Sequence, residues 1–521
     1  MPGRTRTFQS LRRGVLALAC AAALHACAGA PTPPTAETLP RLAAEEVIAA
    51  ALTHVTERYI DPVPLETVGL EGMRGLGAID PAVTVERADG RLVLARDGEA
   101  LASFPLPARN DAAGWSTATL EIIMAARRRS ADLRAAPAEK IYEAVLDGVL
   151  SGLDEFSRYA GADEARENRA KRDGFGGIGV SFKVVDDLPR VARVIEDGPA
   201  ARAGLRAGDI IVRVDGKPTR GLSIAALAKA VRGQVSAPVT LAVRRDDGKV
   251  AVLTVVREHV VPPTVTVTAE DGIAVARITS FNQDTASSLE SKLRHLRAAA
   301  AQPLRGVVLD LRGNPGGLMR PAIQIADLFL TQGTIIRTNG RHPDSNQYYA
   351  ASGADMIQGL PLAVLLDGSS ASAAEILAAA LQDRGRAVVV GTTSFGKGTV
   401  QTVMRLPNEG EVTLTWSRLI APSGYLFHKL GVMPAICTSG GDDADAVLAQ
   451  ARQERARTAE TLARWRRMPH DEALRRRLRT ACRAQYRRGR LDLDIARRVI
   501  GDRAAYARAL MPDGESTAAR R

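Results

Sequence analysis

The chain of 521 residues is 45% hydrophobic and 25% charged, a balance that excludes a disordered or collagen-like polymer and leaves room for several domains. The formal charge of +12 is carried by the two ends: residues 451–521 hold 20 Arg against 9 acidic residues, and Arg4, Arg6, Arg12 and Arg13 crowd the start. Residues 14–450 are near neutral, so the high isoelectric point gives no reason to expect a nucleic-acid partner.

Behind the four arginines runs GVLALACAAAL (Gly14 to Leu24), apolar but too short to cross a bilayer, which needs about 20 residues. This is the pattern of an export leader, and it predicts a bacterial periplasmic protein. Leu24 to Cys27 resembles a lipobox with an unusual His25, so Cys27 is either a lipid-anchor site or a residue lost or kept around plain signal cleavage. Pro31 to Thr35 would be a stiff tether. If the leader is cut before Cys27, two cysteines remain besides it, Cys437 and Cys482, which either pair in an oxidising compartment or stay as separate thiols.

Helical apolar spacing predicts helices over 41–60 and 137–153, making 41–170 a largely helical region. Within it, 84–107 reads as short strands joined at Asp89-Gly90 and Asp97-Gly98, a small hairpin insertion. From 174 to 258 the pattern turns β-rich, with one helical stretch at 223–233. Gly177, Ile178, Gly179 and Val180, followed by AGLRAGDIIVRVDG, resemble a PDZ domain. Glycines there let backbone N–H groups converge on a terminal carboxylate, and the adjoining strand edge pairs with an extended peptide.

Residues 259–440 alternate continuous apolar strands (305–313, 361–369, 386–391) with helices (321–330, 373–385), the mark of an α/β unit whose sheet is covered on both faces. The remainder, 441–521, is helical and Arg-rich and reads as a solvated basic face, with contact to anionic lipid or another protein as the alternative.

Ser372 falls between a strand and a helix, beside free N–H groups that favour a developing oxyanion, although a serine there also serves as a helix N-cap. None of the seven histidines (25, 54, 259, 295, 342, 428 and 470) has a spacing that marks it as its base. Lys397, between glycines and next to an apolar strand, is the stronger candidate, because desolvation can bring a lysine down from about 10.4. Gly391, Gly396 and Lys397 also approach a phosphate-binding loop. That reading fails because Gly398 replaces the magnesium-binding hydroxyl and a strand-like TVQTVMRL follows where a helix is needed.

Ser372, Lys397 and Gln401, in GSSASAAEI (368–376) and SFGKGTVQ (394–401), with DLRGNPGGL (310–318) and LDEFSRY (153–159), resemble the carboxyl-terminal processing proteases, serine peptidases of family S41 that carry a PDZ domain. The resemblance spans about Glu45 to Pro434. It implies a crotonase/ClpP-like β-α spiral for the core, with the PDZ domain inserted ahead of it. It also implies Ser372 as nucleophile, Lys397 as general base and Gln401 orienting the amine without raising its proton affinity. Backbone N–H groups of Gly316, Gly317 and Ala373 would form the oxyanion hole. Glu375 fits the family pattern but, in the first helical turn, is equally explained by the helix dipole. The expected partners are proteins with free C-termini, and an adaptor protein; no metal or organic cofactor is implied. Ala435 after Pro434 and Ala374 after the nucleophile depart from the family pattern, and 84–107 and the tail lie outside it. A non-catalytic PDZ adaptor on the same scaffold is the competing reading.

Overall fold

The computed structural model describes residues 39–300, 302–467, 471–486 and 489–511; the leader, Cys27 and His470 lie outside them. No helix among the described residues is long and apolar enough to cross a membrane.

The expected helices form over Arg41–Arg58 and Ala138–Ser151. Leu65–Arg74 and Ala112–Arg129 complete a bundle around the buried Trp115. The 84–107 segment is a three-stranded antiparallel sheet, Val83–Ala88, Arg91–Arg96 and Glu99–Pro105. Both residues of each Asp-Gly turn have positive φ, 49° and 72° at Asp89-Gly90, 51° and 83° at Asp97-Gly98, the twist that antiparallel neighbours need. Val83, Val85, Leu92 and Leu94 join the bundle's apolar cluster, so this insertion is a wall of the N-terminal core.

The PDZ-like unit is a sheet in the spatial order Val250–Val256, Pro238–Arg244, Ile210–Val214, Leu188–Val194, Val180–Val185. Its helix Ile224–Val231 is capped by Ser223, whose Oγ accepts from Ala226 N at 3.2 Å. Val180–Val185 is an edge strand. The unit joins the rest through a two-stranded ribbon in which Phe175–Gly177 pairs with Glu258–Val260.

The third unit is built on a six-stranded sheet, Val265–Glu270, Ile273–Ile278, Gly306–Asp310, Leu362–Leu366, Val388–Gly391 and Ile436–Cys437 in that order, parallel from the second strand onward. Leu362–Leu366 is buried throughout, as a strand covered on both faces must be. A second antiparallel sheet contains Thr399–Arg405 and Glu411–Ile420, with Arg158–Ala160 added at the latter.

The tail presents many exposed arginines, as expected of a solvated face, but it also packs into the core. Leu462, Trp465, Leu478, Ile495, Val499 and Ile500 belong to the same apolar cluster as the parallel sheet, and the helix Leu491–Gly501 lies on its central strands. Among the described residues some of its arginines turn their donors inward: Arg475 Nη1 donates to His428 O at 2.8 Å and Arg466 pairs with the buried Asp383 at 2.8 Å. Cys437 and Cys482 are joined as a disulfide, closing the choice left open by their spacing.

Candidate active site

Three loops leave the C-terminal ends of parallel strands and meet. The first follows Gly306–Asp310 and carries Gly316 and Gly317; the second follows Leu362–Leu366 and carries Ser372; the third follows Val388–Gly391 and carries Lys397. Ligand sites in open α/β sheets form at strand C-termini because chain direction changes there and helix N-termini converge. Ala371 N donates to Asn314 O at 3.0 Å and Phe395 N to Ser370 O at 2.9 Å, which fastens the three loops together.

Ser372 has φ 55° and ψ −114°, a left-handed conformation costly for a residue with a Cβ. It is the kind of strained strand-to-helix turn that holds a nucleophile out from the backbone. The helix Ala373–Asp383 starts at the next residue. Ala373 N has no hydrogen-bond partner among the described residues.

Glu375 is the hub of the site. Its Oε2 accepts from Ser372 N at 2.7 Å and from Lys397 N at 3.0 Å, and its Oε1 accepts from Gly396 N at 2.7 Å and from Ser394 Oγ. One buried carboxylate oxygen therefore ties together the backbones of Ser372 and Lys397. Burial pushes the Glu375 carboxyl up, while its four donors oppose that by favouring the ionised form. Arg479, from the tail, helps balance the charge: its Nη2 donates to Ser394 O at 3.1 Å and its Nη1 to Leu430 O at 2.6 Å. The sequence reading of Glu375 as a dipole partner missed this role; its position three residues after Ser372, beside N–H-rich glycine loops, was the available signal.

Lys397 is half-buried, and its amine is held below the ordinary lysine range, first by burial and then by Arg158, against the opposing pull of Asp154, Glu155 and Glu375. Its Nζ stands 4.5 Å over the ring of Phe156. Gln401 Nε2 donates to Thr399 Oγ1 at 2.9 Å and Thr415 Oγ1 at 3.2 Å. Among the described residues no hydrogen bond joins Lys397 to Ser372 or to Gln401; catalytic contacts are commonly long before substrate binds.

Gly316 and Gly317 have φ of 102° and 139°, and a Cβ on Gly316 would lie 2.9 Å from Ser372 Cβ and 3.1 Å from Ala373 N. That close approach is what requires glycine there. Gly316 departs from the expected donor role, because its N–H donates to Asn314 Oδ1 at 2.8 Å. Gly317 N, like Ala373 N, has no partner among the described residues. Below the loop, Arg312 forms a bidentate pair with Asp310 at 2.9 Å on each arm and reaches Asp492 of the tail at 3.2 Å. Although burial raises the Asp310 carboxyl, Arg312 and Arg277 together hold it below the usual carboxylate range.

Lys397 is followed by the strand Thr399–Arg405, so the loop opens no helix and lacks the geometry of a phosphate cradle. The peptide-binding candidates lie elsewhere. Gly177 is in the ribbon, Ile178 is buried in the PDZ-like core, Gly179 has φ 76°, and Val180 begins the edge strand beside the helix Ile224–Val231.

The family model for peptidase family S41 matches residues 272–438, and that for the PDZ domain matches residues 190–245. A carboxy-terminal-processing protease of Bartonella bacilliformis is 37% identical over 301 residues, covering 57% of this chain and 69% of its own length. The carboxy-terminal processing protease CtpA of Bacillus subtilis is 31% identical over 301 residues, covering 57% of this chain and 64% of its own. Among solved structures, a photosystem II D1 C-terminal processing protease is similar with 22% identity and a TM-score of 0.37, covering 75% of this chain and 92% of its own.

Proposed function

The chain belongs to peptidase family S41 and is a serine peptidase, and from that premise we propose that it cleaves protein substrates as a Ser/Lys endopeptidase after capturing a free C-terminus on its PDZ domain. The observation that carries the mechanism is the shared Glu375 oxygen, which sets the backbones of a strained Ser372 and a partly desolvated Lys397 side by side. In this reading the Lys397 amine takes the proton from Ser372 Oγ as Oγ attacks the scissile carbonyl. The oxyanion is received by the N–H groups of Gly317 and Ala373. The leaving amine then takes the proton from Lys397 as the acyl-enzyme forms, and water, deprotonated by the same amine, releases the product acid. In the same reading Gln401, linked to Thr399 and Thr415, has the role of orienting the amine.

The PDZ domain supports the substrate class. Its edge strand is free to pair with an extended peptide, and Gly177 to Val180 would receive the terminal carboxylate. The order of strands and helices in 259–440 fits a crotonase/ClpP-like β-α spiral. The apolar leader and the disulfide support export to a bacterial periplasm, with Cys27 as the candidate lipid anchor.

Ser372→Ala and Lys397→Ala are each expected to lower cleavage of denatured casein by at least about 10³-fold while leaving the melting transition in place. Substantial turnover by either variant would remove that residue from its role. Activity should rise with pH as Lys397 loses its proton, earlier than for an exposed lysine because burial holds the amine down.

A further inference from the structure

The amine of Lys397 is roofed by a segment that belongs to none of the three site loops. Leu153 to Tyr159 connects the N-terminal bundle toward the PDZ ribbon, and Phe156 presents its ring face to Lys397 Nζ at 4.5 Å. Asp154 sets this turn. Its Oδ1 accepts from Phe156 N at 2.7 Å and Ser157 N at 3.0 Å, and its Oδ2 accepts from Ser157 Oγ at 2.8 Å. Thr415 ties the turn to the site sheet, its Oγ1 donating to Asp154 Oδ1 at 3.1 Å and its N–H to Ser157 Oγ at 3.2 Å. The same Thr415 Oγ1 accepts from Gln401 Nε2. Tyr59 Oη adds a bond to Leu153 O at 2.8 Å. So many bonds on a seven-residue turn hold one side chain, and that side chain ends on the candidate base.

We propose that Phe156 is a positioning residue for Lys397, a ring held by the Asp154, Thr415 and Gln401 chain that covers the amine and keeps bulk water from it. The proposal rests on the Ser/Lys reading and adds to it a component from outside the three loops. Two effects of the ring oppose each other. Its face attracts an ammonium, whereas its bulk strips hydration from one, and for a half-buried lysine the loss of water is the larger. The charged groups around the amine act in both directions: Arg158 on the roof disfavours the ammonium, while Asp154 and Glu155 on the roof and Glu375 below favour it. The backbone of His428 lies against Gly398, and burial holds its imidazole below the usual value.

The test is the pH profile of kcat/KM on denatured casein for the wild type, Phe156→Ala, Phe156→Leu and Thr415→Val, with Lys397→Ala as reference and a thermal melt for each. Phe156→Ala should move the acid limb to higher pH, losing about tenfold at pH 7 for each unit of movement and regaining wild-type rates above the limb. Phe156→Leu, which keeps the cover without the π face, should leave the limb at or below its wild-type position. Thr415→Val should move it in the Ala direction by less. An unmoved limb in Phe156→Ala, a uniform loss at every pH, or a limb moved equally by Leu overturns the proposal. If Phe156→Ala does not fold, the Leu and Thr415→Val profiles decide, and an unmoved limb in Thr415→Val overturns it. Activity remaining in Lys397→Ala would defeat the Ser/Lys reading itself, whereas an inactive Lys397→Ala with an unmoved Phe156→Ala limb defeats only the role given to Phe156.

Discussion

The PDZ-like unit and the basic tail make opposite bargains with the rest of the molecule. The buried core of the PDZ-like unit runs from Ile178 to Val255 and, among the described residues, takes none from elsewhere, and the chain enters and leaves it through one antiparallel ribbon. Among the described residues the tail forms no separate buried core. Its apolar side chains complete the cluster that begins at Val265, and its polar groups reach the loops that carry the site. Gln485 O accepts from Gly368 N at 2.8 Å and Thr392 Oγ1 at 3.0 Å, Cys482 O accepts from Thr393 Oγ1 at 2.6 Å, and Asp492 meets Arg312. Conspicuous sequence character and structural independence are therefore different things. The segment with the clearest motif is separable, and the segment that looks like a solvated appendage is a wall of the catalytic core.

Truncation after Gln453 should have the largest effect. It exposes one face of the parallel sheet and removes Trp465 and Ile495 from the core, and the expected result is loss of a cooperative melt together with insolubility. A soluble, active truncation would mean that the tail is dispensable after all.

Asp492→Ala is the sharper version. It removes one partner of Arg312, whose side chain is 8% exposed, and should cost about 3–5 kcal/mol in denaturant unfolding. Arg312 Nη1 also donates to Gly489 O at 2.7 Å, and a loss under about 1 kcal/mol would show that this bond and Asp310 satisfy Arg312 alone. Cys482→Ser should cost about 4 kcal/mol, from the loop-closure entropy of a 45-residue separation. An unchanged melt would mean that the tail's other contacts already close that loop.

Replacing residues 178–257 by Asn-Gly should have the smallest effect on stability. Gly177 and Glu258 are paired partners, so a two-residue turn closes the ribbon as a hairpin. The melting temperature of the core should change little, while KM for substrates with a free C-terminus rises and the preference over C-terminally amidated ones disappears. A collapse of the fold would show that the PDZ unit is as integral as the tail.

Local chemistry made much of this legible in the sequence. The strand runs, the helix periods and the Asp-Gly turns sit where residue preferences put them, and Ser372, Lys397 and the glycine pair stand on three loops that the topology gathers. What sequence could not supply was any relation between residues far apart in the chain. The apolar residues of the tail are spaced as on any amphipathic helix, and nothing in that spacing says that they face a sheet formed earlier in the chain. Glu375 likewise shows in sequence only its nearness to a helix start, because its role depends on donors from the lysine loop. Gly316 looked like an oxyanion donor until Asn314 turned its side chain onto that N–H.

Short-range pattern and side-chain chemistry were enough to mark most helices and strands, the family, and Ser372 and Lys397 as the candidate hydroxyl and amine. Only the packed chain shows which charges are buried, which N–H groups are without a partner among the described residues and which aromatic ring covers Lys397. Those properties depend on what excludes water from an atom and what else competes for its hydrogen bonds, and both are settled only when distant segments pack.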